Sequence, residues 1–391
     1  MTRTIPLDRY RNIGILASLD AGRTTTTERL LAVAGSGDLP ARGDRRHPGW
    51  IEQDNDRDIT QTSAATSCFW RDCRINIVEL PVARGLPGGG ALAVLDGIVL
   101  VIDGVSGLTP VVIATLDEVE ARGIATLIFV NKLDRTDADL AAVVDQVAAR
   151  GQAVPLLVQL PIGPGLQGLV DIVEGEATSW SSGFEAPGAD GPVPAAMAAA
   201  TSEALAQIVA SVAPDAGEIA TPALKRHLRE AVRSGRAVPV LCGSAFRNRG
   251  IRRLLDAIVD YLPAPTEMAL NAIAADGQAV MRRAADDEPF AGLAFQTVED
   301  PNAGTLTFVR IYSGIMATGG QMLNSITTSP ERIGRMVRMH ANHTEEIEEA
   351  RAGDIVALTG LTHTTTGDTL CDPAAPVILD RVPASAGRVK H

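Results

Sequence analysis

The chain has 391 residues and carries 35 Lys and Arg against 47 Asp and Glu, which gives a formal net charge of −12. This length, with 46% hydrophobic residues, can bury two sizeable cores and excludes a disordered protein or a single small domain. The negative charge excludes a broad cationic face for free DNA or RNA, so any contact with RNA must be local.

The first two thirds of the chain alternate short β-branched segments with longer segments of helical periodicity. Such alternation is typical of an α/β fold with a mostly parallel sheet and helices on both faces. A Gly-, Ala- and Pro-rich patch indicates a surface insertion at about 160–235, without chemistry of its own. Strands are predicted at 12–17, 75–79, 97–102, 126–130 and 238–243, and helices at 24–33, 110–121, 138–150, 196–212, 222–233 and 251–261.

An all-β domain is predicted after Pro263-Ala264-Pro265, where fixed backbone torsions end the preceding helix. Short strands separated by glycine turns are typical of a closed antiparallel barrel. These strands are predicted at 290–299, 305–313, 321–325, 333–339 and 354–361. The predicted division is an α/β domain at 1–263, a linker at 264–285, a barrel at 286–380 and a flexible tail at 381–391.

The most apolar segments of the chain are far shorter than the roughly 20 residues of a membrane helix, and the N-terminus lacks the pattern of a secretory signal. No membrane contact is therefore expected, and a cytoplasmic location is predicted. The cysteines are scattered and lack the spacing of a zinc site, which predicts reduced and mostly buried thiols. They are Cys68, Cys73, Cys242 and Cys371.

A tight turn joins the first predicted strand to the first helix. Backbone N–H groups and the helix dipole converge at such a turn, which suits the phosphates of a nucleotide. It approaches the pattern Gly-x-x-x-x-Gly-Lys-Ser/Thr, with Ala17 at the first glycine and Arg23 at the lysine. Taken alone, an ordinary turn with a capping threonine explains it better. The candidate phosphate-binding residues are Asp20, Ala21, Gly22, Arg23, Thr24 and Thr25.

Two further turns follow strands at the carboxyl edge of the predicted sheet, where ligands bind in such folds. An aspartate there can accept hydrogen bonds from N1–H and the 2-amino group of guanine, a donor pair that adenine lacks. A neighbouring amide would face the acceptor edge of the base, a lysine stem would cover the ring, and backbone N–H groups would meet the guanine carbonyl. The candidates are Asn131, Lys132 and Asp134 after one strand, and Ser244 and Ala245 after another.

The alternative for each turn is a solvated loop with capping residues. Because all three turns occur in the order and at the strand ends that a nucleotide fold requires, the sequence favours a guanine-nucleotide site.

On these segments the chain resembles the first two domains of the elongation factor G family of translational GTPases. The resemblance is carried by 11–31, 61–70, 127–139, 239–250 and much of 289–372. It implies a P-loop NTPase-type G domain followed by a translation-factor β-barrel, with GTP or GDP and Mg²⁺ bound. Family members continue into further domains, so the chain is expected to be truncated and unable to drive translocation.

The resemblance also implies roles for individual residues. Thr24, Thr60 and Glu79 would lie at the Mg²⁺ ion. Barrel arginines would contact ribosomal RNA, although an ordinary surface charge is the alternative for each of them. These arginines are Arg335, Arg338 and Arg351.

The resemblance breaks at Glu79-Leu80-Pro81-Val82-Ala83, where the family has Asp-Thr-Pro-Gly-His. The histidine that orients the attacking water in the family is absent, so no catalytic residue is assigned and hydrolysis is expected to be weak or negligible. Three glycines from Gly88 to Gly90 disfavour the family's γ-phosphate-sensing helix. Asp58 adds a carboxylate close to the expected polyanion.

Three functions stay open from the sequence. The favoured hypothesis is a guanine-nucleotide-binding, elongation factor G-like translation protein that contacts the ribosome. The alternatives are a slow GTPase stimulated by the ribosome and a pseudo-GTPase scaffold that binds no nucleotide.

Overall fold

The computed structural model describes residues 3–35, 65–80, 89–181, 188–268, 270–274, 276–300, 304–340 and 343–379. The chain divides into two compact units. The first draws on Met1–Gly14, Pro40–Asp96 and Ala264–His391, and the second on Ile15–Leu39 and Gly97–Pro263. The domain division at 263 stays a prediction.

The first 263 residues contain the α/β alternation that the sequence predicts, interrupted by consecutive strands between residues 154 and 192. The strands are β1 (Tyr10–Ala17), β2 (Ala65–Trp70), β3 (Cys73–Glu79), β4 (Gly97–Asp103), β5 (Ala125–Asn131), β6 (Val154–Leu157), β7 (Gln159–Ile162), β8 (Gly168–Asp171), β9 (Glu176–Ser179), β10 (Ala189–Pro192) and β11 (Ala237–Cys242). The α-helices are α1 (Arg23–Val33), α2 (Gly89–Ala93), α3 (Pro110–Ala121), α4 (Leu140–Ala148), α5 (Ala198–Val212), α6 (Thr221–Arg233) and α7 (Ile251–Tyr261). Short 3-10 helices lie at Leu7–Arg9, Ala195–Met197 and Pro265–Glu267.

A seven-stranded sheet has the strand order β2-β3-β1-β4-β5-β11-β6. The strands β4, β5, β11 and β6 pair in parallel, whereas β2 and β3 pair antiparallel. Every residue of β5 and β11 is buried, which explains their continuous apolar sequence. The predicted α/β fold is confirmed, with an antiparallel edge that the sequence did not indicate.

The insertion contains a sheet of its own. Strands β7 to β10 pair antiparallel in the order β10-β9-β8-β7, and α5 and α6 follow them. Within the part of the chain that the structure describes, one helical stretch, Ala195–Val212, meets the length and apolarity of a membrane span, with a mean hydropathy of 1.3. A single stretch of this kind is weak evidence for a span.

The C-terminal part is all-β, as predicted. Its strands are β12 (Leu270–Ala274), β13 (Ala279–Arg282), β14 (Ala291–Asp300), β15 (Gly304–Ser313), β16 (Ile315–Ala317), β17 (Gln321–Asn324), β18 (Ser329–Arg332), β19 (Met336–His340), β20 (His343–Ile347), β21 (Glu349–Arg351), β22 (Ile355–Leu358), β23 (Thr369–Cys371) and β24 (Val377–Leu379). The predicted tail at 381–391 lies outside the described residues.

The main sheet of this part is an antiparallel half-barrel of eight strands in the order β18-β17-β23-β14-β15-β22-β19-β20. The sequence predicts a closed barrel, whereas the order of the main sheet ends at two edge strands, β18 and β20. Strands β16 and β21 pair antiparallel in a separate two-stranded sheet. The chain turns between β15 and β16 at Gly314, whose φ of 74° favours glycine. A Cβ there would lie 2.6 Å from the backbone of Phe290, so glycine also permits the close approach.

A buried polar network runs through the first unit. Arg310 on β15 donates from Nη2 to both carboxylate oxygens of Asp96, at 3.0 and 3.1 Å, and from Nη1 to the Val94 carbonyl at 2.6 Å. Asp96 also accepts a hydrogen bond from the Asn12 amide at 2.9 Å. Buried charges are tolerated when each has such partners, so this network is a fixed part of the structure.

The network continues from Asn12 toward the far strands of the same unit. The Asn76 amide donates to the Asn12 carbonyl oxygen at 2.6 Å, and Arg74 Nε donates to the Asn76 oxygen at 3.1 Å. Arg74 also donates from Nη1 to Asp354 at 3.2 Å. Strands β1, β3 and β15 and the turn before β22 are therefore joined by one chain of side chains.

The prediction of reduced, buried cysteines is confirmed, because all four are free and buried. Burial raises the pKa of the Cys68 and Cys242 thiols to about 12. These two thiols therefore stay protonated and unreactive near neutral pH.

Candidate functional site

The turn between β1 and α1 presents backbone groups at a helix N-terminus. Gly22, with a φ of 94°, precedes the first helical residue, Arg23, so the N–H groups of the first helical turn lie just after it. The carbonyl of Gly22 accepts the N–H and the hydroxyl of Thr26, at 2.9 and 2.8 Å. Ala21 is fully buried, and its N–H donates to the Ser18 carbonyl at 3.2 Å. This geometry suits an anion such as a phosphate.

Asn131 connects all three predicted segments. Its buried amide donates from Nδ2 to the Ala21 carbonyl at 2.8 Å, and its Oδ1 accepts the N–H of Ala245 at 2.9 Å. A Cβ at Gly22 would lie only 2.5 Å from Asn131 Nδ2, so glycine is needed for this approach. The structure therefore brings the phosphate turn, the end of β5 and the end of β11 together, as the sequence predicts.

Lys132 adopts a positive φ of 67° directly after β5. Its Nζ donates to Asp103 Oδ2 at 2.7 Å, and Asp103 is the last residue of β4. Sequence reasoning missed Asp103, although its position at the carboxyl end of a buried parallel strand could have pointed to it. The lysine stem is thus held at the sheet edge by a partner from the neighbouring strand.

The predicted base-reading carboxylate, Asp134, has a partner within the chain. Arg247 Nε donates to Asp134 Oδ2 at 3.0 Å, and the two side chains are 37% and 14% exposed. Sequence reasoning missed Arg247, which is two residues beyond Ala245. The carboxylate that would accept guanine donors already accepts a donor of the protein.

The loop after β11 is fastened from within. The N–H of Ser244 donates to the Arg249 carbonyl at 3.0 Å, while that of Arg249 donates to the Ser244 carbonyl at 2.9 Å. The Ser244 and Ala245 amides, predicted to meet the guanine carbonyl, are therefore both used inside the protein.

Arg249 also links this loop to the insertion. Its Nη1 donates to the carbonyls of Gly165 and Leu166, at 3.2 and 2.7 Å, and its guanidinium lies 5.7 Å from the Trp180 ring centroid. Burial lowers the pKa of Arg249, and the nearby charge of Arg247 lowers it further. The insertion, expected to carry no chemistry, thus supports the loop that bears the candidate base-binding residues.

The predicted Mg²⁺ residues do not all lie in the described part of the chain. Thr24 is the second residue of α1, and Glu79 is the last residue of β3. Thr60 and Asp58, and the segment 81–88 that follows Leu80, lie outside the described residues. The Thr24 hydroxyl and the Glu79 carboxylate are oxygen ligands of the kind that Mg²⁺ prefers. Because Thr60 lies outside the described residues, the Mg²⁺ site stays a prediction.

Two of the three barrel arginines have acidic partners. Arg351 contacts Asp286 at 3.0 Å and Glu349, and Arg338 lies 3.5 Å from Asp354. Arg335 is exposed just before β19. The Arg338 and Arg351 side chains are 19% and 16% exposed, so these pairs are partly buried, and the RNA contact stays a prediction.

Comparison with known families decides where the chain belongs. The family model described as elongation factor Tu GTP binding domain matches residues 8–264, about two thirds of the chain. The chain belongs to the elongation factor Tu GTP-binding domain family. A second model, elongation factor Tu domain 2, matches residues 304–371 in the half-barrel of this family member.

Similar proteins support the assignment of the chain to this family. Two proteins named elongation factor G, from the Florida and St. Maries strains of Anaplasma marginale, are each 43% identical over 401 residues. The alignment covers 96% of this chain but 57% of each relative. A crystal structure from Thermus thermophilus, 22% identical, matches with a TM-score of 0.77 over 94% of this chain and 54% of that one, which supports the fold.

Proposed function

We propose that the chain binds GTP or GDP with Mg²⁺, as an elongation factor G-like translation protein with weak or no GTP hydrolysis. The observation that carries the proposal is the position of Asn131, whose amide joins the phosphate turn to the loop after β11. Because these segments come from distant parts of the chain, one buried residue that bonds both fixes the spacing between base and phosphate. The resemblance of all three motifs supports the same ligand.

Asp134 is the group that would select guanine. Its carboxylate lies two residues beyond Lys132, at the carboxyl edge of the parallel sheet, and remains partly exposed. A carboxylate can accept both N1–H and the 2-amino group, whereas adenine presents no such pair. Gly22 and the first turn of α1 would hold the phosphates by their N–H groups, and Thr24 would face the metal.

Weak hydrolysis is proposed from the residues after β3. The family's water-orienting histidine aligns with Ala83, and the residue after Glu79 is the buried Leu80. Phosphoryl transfer relies on positioning and electrostatics, so the loss of the orienting group removes much of the rate. Contact with the ribosome through the half-barrel and a cytoplasmic location belong to the same proposal.

Nucleotide titration tests the binding. Purified protein should bind fluorescent GDP and GTP in the presence of Mg²⁺ and should bind the ADP and ATP analogues at least tenfold more weakly. The variant Asp134→Asn should lose guanine affinity and gain affinity for xanthosine nucleotides, whose 2-oxo group accepts from an amide. The matched control is Asp137→Asn, in the same turn, where Asp137 pairs with Arg135 on the surface and selectivity should not change. Equal affinity for guanine and adenine nucleotides would refute the proposal.

A second candidate is a scaffold that binds no nucleotide. This candidate is favoured because the groups expected to bind the base already have partners within the protein. Arg247 donates to Asp134, and the N–H groups of Ser244 and Ala245 donate to the Arg249 carbonyl and to Asn131 Oδ1. The same titration separates the two functions, because a scaffold gives no saturable signal with any nucleotide. Multiple-turnover phosphate release in the presence of ribosomes would instead support a slow GTPase.

A further inference from the structure

We propose that Arg247 is a built-in competitor of guanine for the Asp134 carboxylate and thereby sets the affinity of the site. The inference rests on the proposed function, because it assigns a regulator to the same pocket. It begins with the 3.0 Å hydrogen bond from Arg247 Nε to Asp134 Oδ2, which joins two residues 113 positions apart in the sequence.

The chemistry of the two donors is alike. A guanidinium presents adjacent N–H groups in one plane, and the N1–H and 2-amino group of guanine present a similar pair. A carboxylate that accepts both guanine donors needs both of its oxygens in the plane of the base. Arg247 Nε already donates to Oδ2 of Asp134, one of the two oxygens that guanine needs, so the arginine and the base compete for it.

The position of Arg247 permits exchange. Its backbone is fixed, since its N–H donates to the Ser244 carbonyl at 3.2 Å and to the Ser244 hydroxyl at 3.3 Å. Its side chain is 37% exposed, so the guanidinium can move into water without losing a buried environment. Arg249, two residues further on, is 7% exposed and bonded to the insertion, so it is a fixed support.

The expected size of the effect follows from the exposure of the pair. Exposed and partly exposed ion pairs are weak, so the competition should lower guanosine affinity by about two- to fivefold and not abolish it. Salt screens such a pair, so guanosine should bind the unaltered protein more tightly as ionic strength rises.

The experiment compares guanosine binding to the unaltered chain, Arg247→Ala and Arg252→Ala by calorimetry at low and high salt. Guanosine is the probe because it lacks phosphate, whose attraction to any arginine would obscure the result. Arg252 is the matched control, since it is exposed and pairs with Asp190. Arg247→Ala should bind guanosine about two- to fivefold more tightly and lose the salt dependence, whereas Arg252→Ala should behave like the unaltered chain.

The outcomes separate the two proposals. If the unaltered chain binds guanosine over adenosine but Arg247→Ala binds it equally or more weakly, the competitor is refuted and the proposed function stands. If Arg247→Ala binds guanosine more tightly than the unaltered chain and Arg252→Ala does not, the competitor and the proposed function are both supported. If no variant prefers guanosine, both proposals are refuted.

Discussion

Two arginine–aspartate pairs of this molecule differ in their surroundings. In the first unit, the Arg310 and Asp96 side chains are 2% and 5% exposed, and both bond further polar groups. In the second unit, the Arg247 and Asp134 side chains are 37% and 14% exposed and are joined by a hydrogen bond of 3.0 Å. The hydrogen-bond lengths are similar, so distance alone does not tell the pairs apart.

The difference teaches that burial decides what an ion pair does. Removing one partner of a buried pair leaves a charge without water or counter-ion, which is strongly destabilising. Removing one partner of an exposed pair lets water replace it at little cost. The first pair therefore holds the structure together, whereas the second is suited to exchange with a ligand.

The largest expected effect is that of Arg310→Ala. It leaves Asp96 buried beside Asn12 and should lower the free energy of unfolding by about 3–5 kcal/mol, measured by urea denaturation. A double variant that also replaces Asp96 with Asn should recover part of this loss. A loss below about 1 kcal/mol in the single variant would contradict the comparison.

The Arg253–Asp171 pair of the second unit is an intermediate case, with side chains 8% and 14% exposed and the charged atoms 4.0 Å apart. Burial raises the pKa of Asp171 from 3.8 to about 6, although the Glu174 N–H and Arg253 act in the opposite direction. Its folded pKa is the higher one, so its contribution to stability is complete below pH 3.8 and is lost as the pH rises through about 6. In Asp171→Asn this loss, on the order of 3 kcal/mol, should disappear from stability curves measured between about pH 3.5 and 7. If the unaltered chain and Asp171→Asn showed the same dependence of stability on pH, the proposed shift in the pKa of Asp171 would be contradicted.

Glu331 is a buried carboxylate whose pKa shifts in the direction opposite to that of Asp171. Burial raises its pKa, but hydrogen bonds from the Thr362 N–H, the Thr364 hydroxyl and the His363 N–H outweigh burial and leave the pKa below its ordinary value of 4.5. Its stabilisation is therefore present above pH 4.5 and is lost as the pH falls. Glu331→Gln should cost about 1–2 kcal/mol at about pH 7 in thermal unfolding, and the difference from the unaltered chain should shrink toward about pH 3. A constant difference at all pH values would assign the cost to shape and not to charge.

The smallest expected effect is that of Arg247→Ala on stability. Since the pair with Asp134 is partly exposed, the free energy of unfolding should change by less than about 1 kcal/mol, measured by the same denaturation as Arg310→Ala. A loss above about 2 kcal/mol would place this pair in the same class as the buried one. This result would also argue against its role as an exchangeable competitor.

Much of the fold was predictable because its strongest signals are local. The buried parallel strands are continuous apolar segments, and the predicted bounds of α3 and α7 agree with those observed. Strands β7 to β10 were missed because each has four residues, too few for an alternating pattern to be recognised. The edge strand β2, with the sequence Ala-Thr-Ser-Cys-Phe-Trp, was missed because it has neither a continuous apolar run nor strict alternation.

The candidate site was predictable as three segments but not as a set of contacts. Asn131, Gly22 and Ala245 could be placed together because parallel strands end at one edge of a sheet. The pairing of Arg247 with Asp134 could not, since the sequence holds no local pattern for residues 113 positions apart. Such partners depend on how two loops fold against each other, which no local pattern of residues reveals.

The absence of a side chain at Gly22 makes room for the Asn131 amide, so the two positions constrain each other. Any larger residue at 22 would collide with the amide 2.5 Å away, and a smaller residue at 131 would release the bonds to Ala21 and Ala245. Gly22 also has a φ of 94°, which L side chains rarely adopt, so a larger residue at 22 stays strained even beside a smaller residue at 131. Changes at either position, and at both together, should therefore fail. Laboratory evolution of this pocket should therefore keep both codons fixed and vary the residues around them.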